Sequence, residues 1–221
     1  MSNPTPIVVA NLKANKTWKE IESWLDAVGP KSQDFNGTVI FCPSYPFLAI
    51  CKEKIGRDSM NIKLGSQDIS KFEQGPYTGE VTASQISDLV EYTIIGHSER
   101  RQNLKEDNKV LEEKVENANA AGIKPIFCVQ NEETPIPQGV SIVAYEPVFA
   151  IGTGNPDTPE NVQEIISALK NTRRLTVLYG GSVSASNIKS FIDQQSVDGV
   201  LVGASNSLDP QKFIAILNAL K

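Results

Sequence analysis

The chain has 221 residues, of which 40% are hydrophobic and 21% are charged. These proportions are typical of globular proteins and exclude collagen-like, low-complexity and disulfide-scaffold classes. The net charge of −5 argues against a nucleic-acid or anionic-membrane partner, and no run of 18 apolar residues predicts a membrane span. The single histidine excludes a multi-histidine metal site, so no metal is expected. Three cysteines and the lack of a secretory signal predict a cytoplasmic location.

Eight short, nearly continuous apolar segments are predicted as β-strands. In chain order they cover residues 7–12, 38–42, 62–65, 92–95, 125–129, 140–145, 176–179 and 199–202. Strands without polar alternation are typical of a parallel sheet that is buried on both faces.

Helical patterns lie between these strands. Thr17 and Thr82 each begin a capping-box pattern, and the other predicted helices cover residues 108–121, 162–169, 184–194 and 210–220. Strict alternation of strands and helices predicts an α/β fold, a single (β/α)8 barrel formed by one domain over residues 1–221. An open doubly wound sheet is the alternative. Residues 130–139 contain Pro135 and Pro137, so the crossover helix between strands 5 and 6 is predicted to be shortened or absent.

Chemically useful residues follow the predicted strands at their carboxyl ends, where parallel barrels carry their active sites. Lys13 follows strand 1, His97 follows strand 4 and Glu146 follows strand 6. Glycine-rich turns after strands 6, 7 and 8 offer backbone N–H groups to an anion such as phosphate. A carboxylate, an imidazole and a phosphate cradle together indicate proton abstraction next to a carbonyl group.

Five motifs carry a more specific signal, and they occur in a fixed order over nearly the whole chain. They are Asn11-Leu-Lys13, Gly75-Pro-Tyr-Thr-Gly-Glu80, Gly96-His-Ser-Glu-Arg-Arg101, Tyr145-Glu-Pro-Val-Phe-Ala-Ile-Gly-Thr-Gly154 and Tyr179-Gly-Gly-Ser-Val183. In this respect the sequence resembles the triosephosphate isomerase family. The resemblance implies a TIM barrel and a cytoplasmic isomerase of glycolysis and gluconeogenesis. It also implies interconversion of dihydroxyacetone phosphate and D-glyceraldehyde 3-phosphate, without a cofactor.

The resemblance also implies catalytic roles. Glu146 is the base, His97 is a neutral electrophile, Lys13 acts electrostatically and Asn11 orients the site. Glu99 is either the ion-pair partner of Lys13 or a participant in proton transfer. Without the family resemblance, each residue also has an ordinary structural interpretation. These are a surface ion pair for Glu146, a structural hydrogen bond for His97 and a solvated side chain for Lys13.

The remaining functional residues are likewise implied by the resemblance. Phosphate and substrate contacts are expected from Asn11, Lys13, Gly152, Ser182, Leu201, Gly203 and Ala204. A closing lid is expected over Pro147, Val148, Phe149, Ala150, Ile151, Gly152, Thr153 and Gly154, with Ile151 and Leu201 covering the base. A loop containing Gln67, Tyr77, Thr78, Gly79 and Glu80 is expected to enter a second subunit, which implies a homodimer or a higher oligomer.

Several positions depart from the family pattern. Phe149 replaces the usual tryptophan of the lid, Ala204 replaces a glycine, and Gln130-Asn131 replaces Gly-Glu after strand 5. Two other functions remain open from the residues alone. One is a phosphate-binding aldolase that uses Lys13 as a Schiff base, and the other is a non-catalytic homologue. Cys128 is interpreted as a packing residue.

Overall fold

The structure, a computed structural model, describes residues 5–150 and 153–221, without the side chain of Thr172. Eight parallel strands form a closed barrel in sequence order, and β1 pairs with both β2 and β8. The strands are β1 (Ile7–Asn11), β2 (Thr38–Cys42), β3 (Lys63–Ser66), β4 (Tyr92–Ile95), β5 (Lys124–Val129), β6 (Ile142–Tyr145), β7 (Thr176–Tyr179) and β8 (Gly199–Val202). The predicted barrel is therefore confirmed, and the open sheet is wrong.

Helices surround the barrel and connect most of its strands. They are α1 (Trp18–Ser32), α2 (Leu48–Arg57), α3 (Ala83–Ile86), α4 (Ser98–Asn103), α5 (Asn108–Ala120), α6 (Pro159–Thr172), α7 (Ile188–Ile192), α8 (Ala204–Leu208) and α9 (Pro210–Ala219). α7 is shorter than predicted because Asn187 accepts a hydrogen bond from the Ser184 N–H, at 2.8 Å, and this turn replaces the first helical residues.

The hydrophobic core has two layers, which explains the continuous apolar strands. Inward-facing side chains such as Val9, Ile94 and Leu178 fill the barrel. Outward-facing ones such as Phe41 and Phe127 pack against the helices. Both faces of each strand are thereby removed from water, and the carboxyl ends of all eight strands meet at one rim.

The connection from β5 to β6 contains turns and no helix over residues 130–141, all of which are described. The Thr134 hydroxyl accepts the backbone N–H of Gln130 at 3.2 Å. Ile136 packs against the core, and the Arg173 guanidinium donates to its carbonyl at 2.8 Å. The predicted loss of this crossover helix is thus confirmed, and a fixed loop covers the strands in its place.

Within residues 5–150 and 153–221, no helix is both long enough and apolar enough to cross a lipid bilayer.

Candidate active site

A polar cavity of about 540 Å³ lies at the carboxyl ends of the strands. Eight of the residues predicted for catalysis or substrate binding line it together, although they come from five different strand ends. They are Asn11, Lys13, His97, Glu146, Ser182, Leu201, Gly203 and Ala204. Of the described lining residues, Lys13 alone carries a positive charge.

Glu146 lies immediately after β6 and is only 1% exposed. Its Oε2 accepts a hydrogen bond from the Ser98 N–H at 3.1 Å, and its Oε1 lies 3.3 Å from Nε2 of His97. Gly180 makes room for this side chain, since a Cβ at that position would lie 2.9 Å from Cγ of Glu146. The carboxylate is therefore buried and oriented by an N–H donor and the imidazole, and it lines the cavity.

His97 is buried and precedes the first residue of the short helix α4. Its Nδ1 accepts the backbone N–H of Glu99 at 3.2 Å. An imidazole nitrogen that accepts a hydrogen bond carries no proton, so the neutral ring holds its proton on Nε2. This is the nitrogen that faces Glu146.

Lys13 follows β1 in a left-handed conformation, with φ of +53°. Its backbone N–H donates to Oδ1 of Asn11 at 3.0 Å, and its ammonium group forms an ion pair with Glu99. Gln67 donates to the Lys13 carbonyl at 2.9 Å. From the sequence, Glu99 was either an ion-pair partner of Lys13 or a participant in proton transfer. The observed ion pair agrees with the first of these two roles.

Two other residues that line the cavity, after β7 and β8, also have left-handed backbone conformations. Ser182 has φ of +36° and Ala204 has φ of +53°. The Ser182 hydroxyl donates to the carbonyl of Ala150, and the Asn187 amide donates to the Ser182 carbonyl at 3.0 Å. Non-glycine residues in this region are strained, and such strain is concentrated at ligand-binding positions.

The segment predicted as a lid is described only in part, since Ile151 and Gly152 lie outside the described residues. Val148–Ala150 form a short 3-10 turn. The side chain of Phe149 is 63% exposed, whereas Pro147 and Ala150 are buried. Thr153 and Gly154 line the cavity from the other end of the segment.

The predicted subunit loop extends from the barrel surface. Residues 73–80 are all exposed, including Thr78, Gly79 and Glu80, and the ring of Tyr77 stacks on Phe72 with centroids 3.9 Å apart. Gln67 lies nearer the site, where it donates to the carbonyls of Lys13 and Cys42. The tip residues do not line the cavity of their own chain, as far as the described residues show.

Cys128 is fully buried on β5. Burial and the nearby charge of Glu146 hold the pKa of this thiol well above its ordinary value. A protonated thiol is a poor nucleophile, which agrees with the packing interpretation.

A buried ionic network includes Arg100, for which the sequence predicts structural ion pairs, but its two carboxylates and Lys114 were not identified from the sequence. Lys114 donates to Asp68 at 2.6 Å and to Glu106 at 2.7 Å, and Arg100 bridges the same two carboxylates. Burial alone would raise the pKa of Glu106, but hydrogen bonds from Arg100 and Lys114 outweigh it, and the pKa is lowered. Asp68 is distant in sequence from the other three residues, and no local pattern distinguishes any of the four from solvated charges.

A second missed group joins the ends of β6 and β7. The carboxylate of Asp157 accepts the Tyr145 hydroxyl at 3.2 Å, and the Asp157 N–H donates to the Tyr179 hydroxyl at 2.9 Å. Both tyrosines belong to motifs quoted above, but nothing in the sequence marks Asp157.

The fold and the site together define a (β/α)8-barrel enzyme with a buried carboxylate and an imidazole at the strand ends. A sequence model described as triosephosphate isomerase matches residues 6–220. The chain is also similar to proteins named triosephosphate isomerase from three bacteria. That of Thermodesulfovibrio yellowstonii is 36% identical, with 97% of this chain and 99% of the relative covered. The protein of Hahella chejuensis is 35% identical, with 96% of this chain and 97% of the relative covered. That of Aquifex aeolicus is 31% identical, with 96% of this chain and 98% of the relative covered.

The chain therefore belongs to the triosephosphate isomerase family. As a member it is an enzyme of the aldose–ketose isomerase class. The aligned lengths of 244 to 249 positions exceed its 221 residues, so these relatives contain residues that this chain lacks.

Proposed function

We propose that this chain interconverts dihydroxyacetone phosphate and D-glyceraldehyde 3-phosphate through an enediolate, with Glu146 as the base. The observation that carries the proposal is the meeting of Glu146, His97 and Lys13 around one polar cavity. The Glu146 carboxylate takes a proton from one carbon of the triose and returns it to the neighbouring carbon. The two triose phosphates are isomers, so the reaction needs no external oxidant or reductant, and the scheme uses only side chains of this protein.

His97 donates to the substrate oxygens during this transfer. The proton on Nε2 is available because Nδ1 is occupied by the Glu99 N–H. Negative charge develops on the carbonyl oxygen as the enediolate forms. A fixed N–H donor stabilises this developing charge more strongly than it stabilises the neutral carbonyl group of the substrate. His97 thereby complements the base 3.3 Å away.

Lys13 and the turn residues bind the anionic substrate. Lys13 supplies positive charge in a chain with a net charge of −5, and Asn11 fixes its backbone. The backbone N–H groups near Ser182, Gly203 and Ala204 contact the phosphate, and Leu201 lies against the carbon chain. Gly152 completes the contacts that the family resemblance implies, although it lies outside the described residues.

Residues 147–154 act as the lid of this site. The exposed Phe149 and the cavity-lining Thr153 and Gly154 support this role, because the segment runs from solvent to the cavity. A closed lid would exclude water from the enediolate, which otherwise can eliminate its phosphate group.

A coupled isomerase assay on the purified chain tests the proposed reaction. We expect turnover of both triose phosphates, and an inactive, folded protein would contradict the proposal. Borohydride treatment with substrate separates the aldolase alternative, because only a Schiff base is trapped as a covalent adduct.

We also infer a cytoplasmic homodimer. The exposed loop at residues 73–80, with Tyr77 41% exposed, supports an interface, and three free, buried cysteines fit a reducing compartment. Sedimentation equilibrium tests the assembly, with a dimer or a higher oligomer expected. A fully active monomer at micromolar concentration would contradict it.

A further inference from the structure

Asp157 lies between the proposed lid and helix α6, and its carboxylate is buried, with 8% of the residue exposed. Oδ1 accepts the Thr158 N–H at 2.8 Å. Oδ2 accepts the Tyr145 hydroxyl at 3.2 Å and the Asn161 amide at 2.7 Å. Among the described residues, no lysine or arginine forms an ion pair with it. Burying a carboxylate among neutral donors costs stability, so its presence calls for a functional reason.

The two tyrosines bonded to Asp157 occupy paired ends of neighbouring strands. Tyr145 ends β6 and directly precedes Glu146, and Tyr179 ends β7 and directly precedes Gly180. Gly180 donates to the Tyr145 carbonyl at 2.8 Å and lies against the Glu146 side chain. A shift of Tyr145 would therefore be transmitted to Glu146 through one peptide bond.

We propose that Asp157 is a positioning residue for isomerisation, whose carboxylate anchors the Tyr145 hydroxyl and thereby holds Glu146 in its reactive orientation. The inference rests on the proposed role of Glu146 as the base. The Asp157 backbone N–H holds Tyr179 independently of the side chain. Side-chain substitutions at position 157 should thus disturb the base more than the phosphate-binding turn.

Because the Asp157 side chain contacts Tyr145 and its backbone contacts Tyr179, substitution of the side chain should change kcat more than KM. In the D157A variant we expect kcat to fall by about 10-fold or more, because small displacements of a reacting group are costly. KM should change by less than about threefold, because the contacts on the β7 side are retained. D157N keeps one oxygen that can accept the Tyr145 hydroxyl, so its kcat should lie between those of the wild type and D157A.

T158A is the matched control for a purely structural role. Thr158 caps α6 by accepting the Asn161 N–H at 3.2 Å, so its removal weakens the same helix without touching Tyr145. We expect T158A to lower the melting temperature while kcat stays near the wild-type value. Equal losses of kcat in T158A and D157A would overturn the proposal.

A double-mutant cycle tests the path through Tyr145. Y145F removes the donated hydrogen bond, so D157A combined with Y145F should have about the kcat of D157A alone. If the two substitutions each lower kcat and their factors multiply in the double variant, the proposal is overturned. A folded D157A with the kcat of the wild type would also overturn it. If D157A fails to fold, Y145F and D157N test the proposal in its place. A wild-type kcat in both of these variants would overturn it. An inactive wild-type chain would instead contradict the proposed function itself.

Discussion

Nε2 of His97 lies 3.3 Å from Oε1 of Glu146, so the imidazole and the carboxylate are in direct contact in the wall of the cavity. The other ring nitrogen accepts the Glu99 N–H, which assigns the proton of the neutral ring to the nitrogen facing Glu146. Two of the groups needed for enediolate chemistry are therefore arranged before substrate arrives.

The tautomer of His97 is the first testable consequence. In the ¹⁵N-labelled protein at neutral to mildly alkaline pH, we expect an unprotonated Nδ1 and a protonated Nε2. Because the chain has one histidine, the imidazole signals need no further assignment, and they should be absent from the H97Q variant. A neutral ring with its proton on Nδ1 would contradict the proposed donor role.

Shortening the base tests the geometry around Glu146. E146D withdraws the carboxylate by one methylene group, so we expect kcat to fall by about 100-fold or more. KM should stay within about threefold, because the phosphate contacts are unchanged. Steady-state kinetics on protein with an unchanged circular dichroism spectrum provide the measurement. If E146D turns over as fast as the wild type, a residue other than Glu146 is the base.

Ala204 tests the strain in the turn after β8. A left-handed conformation costs alanine about 1 kcal/mol relative to glycine, so A204G should raise the free energy of unfolding by about that amount. A215G, at an exposed position inside α9, should lower it by a similar amount. Urea denaturation measures both, and a less stable A204G would show that the backbone strain is absent.

Glu106 tests the buried ionic network. Its lowered pKa means that its stabilising contribution is complete above the ordinary value of 4.5 and is lost as pH falls through the folded-state value. At pH 7 we expect E106Q to be less stable by ~3 kcal/mol, with the difference from wild type shrinking in acid.

The exposed Glu112 of α5 supplies the control for this experiment. E112Q should change the free energy of unfolding by less than about 0.5 kcal/mol at every pH. A pH-independent difference between E106Q and the wild type would contradict an ionised Glu106 in the network.

Much of the fold follows from local sequence patterns. Continuous apolar segments marked all eight strands to within two residues of their observed ends. The prolines at 135 and 137 marked the missing crossover helix. α2 (Leu48–Arg57) was not predicted, because it has no capping box and its first turn follows a 3-10 turn, Tyr45–Phe47.

The site was predictable where chemistry and strand ends coincide, as for Lys13, His97 and Glu146. Contacts between distant side chains were not. Lys114 and Asp68 are 46 positions apart, and either one alone is an ordinary charged residue. Asp157 likewise acquires meaning only when the barrel brings Tyr145 and Tyr179 to its two sides.

Isomerisation of dihydroxyacetone phosphate in D₂O tests the central claim most directly. A carboxylate that carries the proton between carbons exchanges part of it with solvent, so the product should contain deuterium at C2. NMR of the glyceraldehyde 3-phosphate formed by the wild-type chain measures this, with E146D expected to form the product at least about 100-fold more slowly. Turnover by E146D equal to that of the wild type, or no turnover by folded wild-type protein, would contradict proton transfer by Glu146.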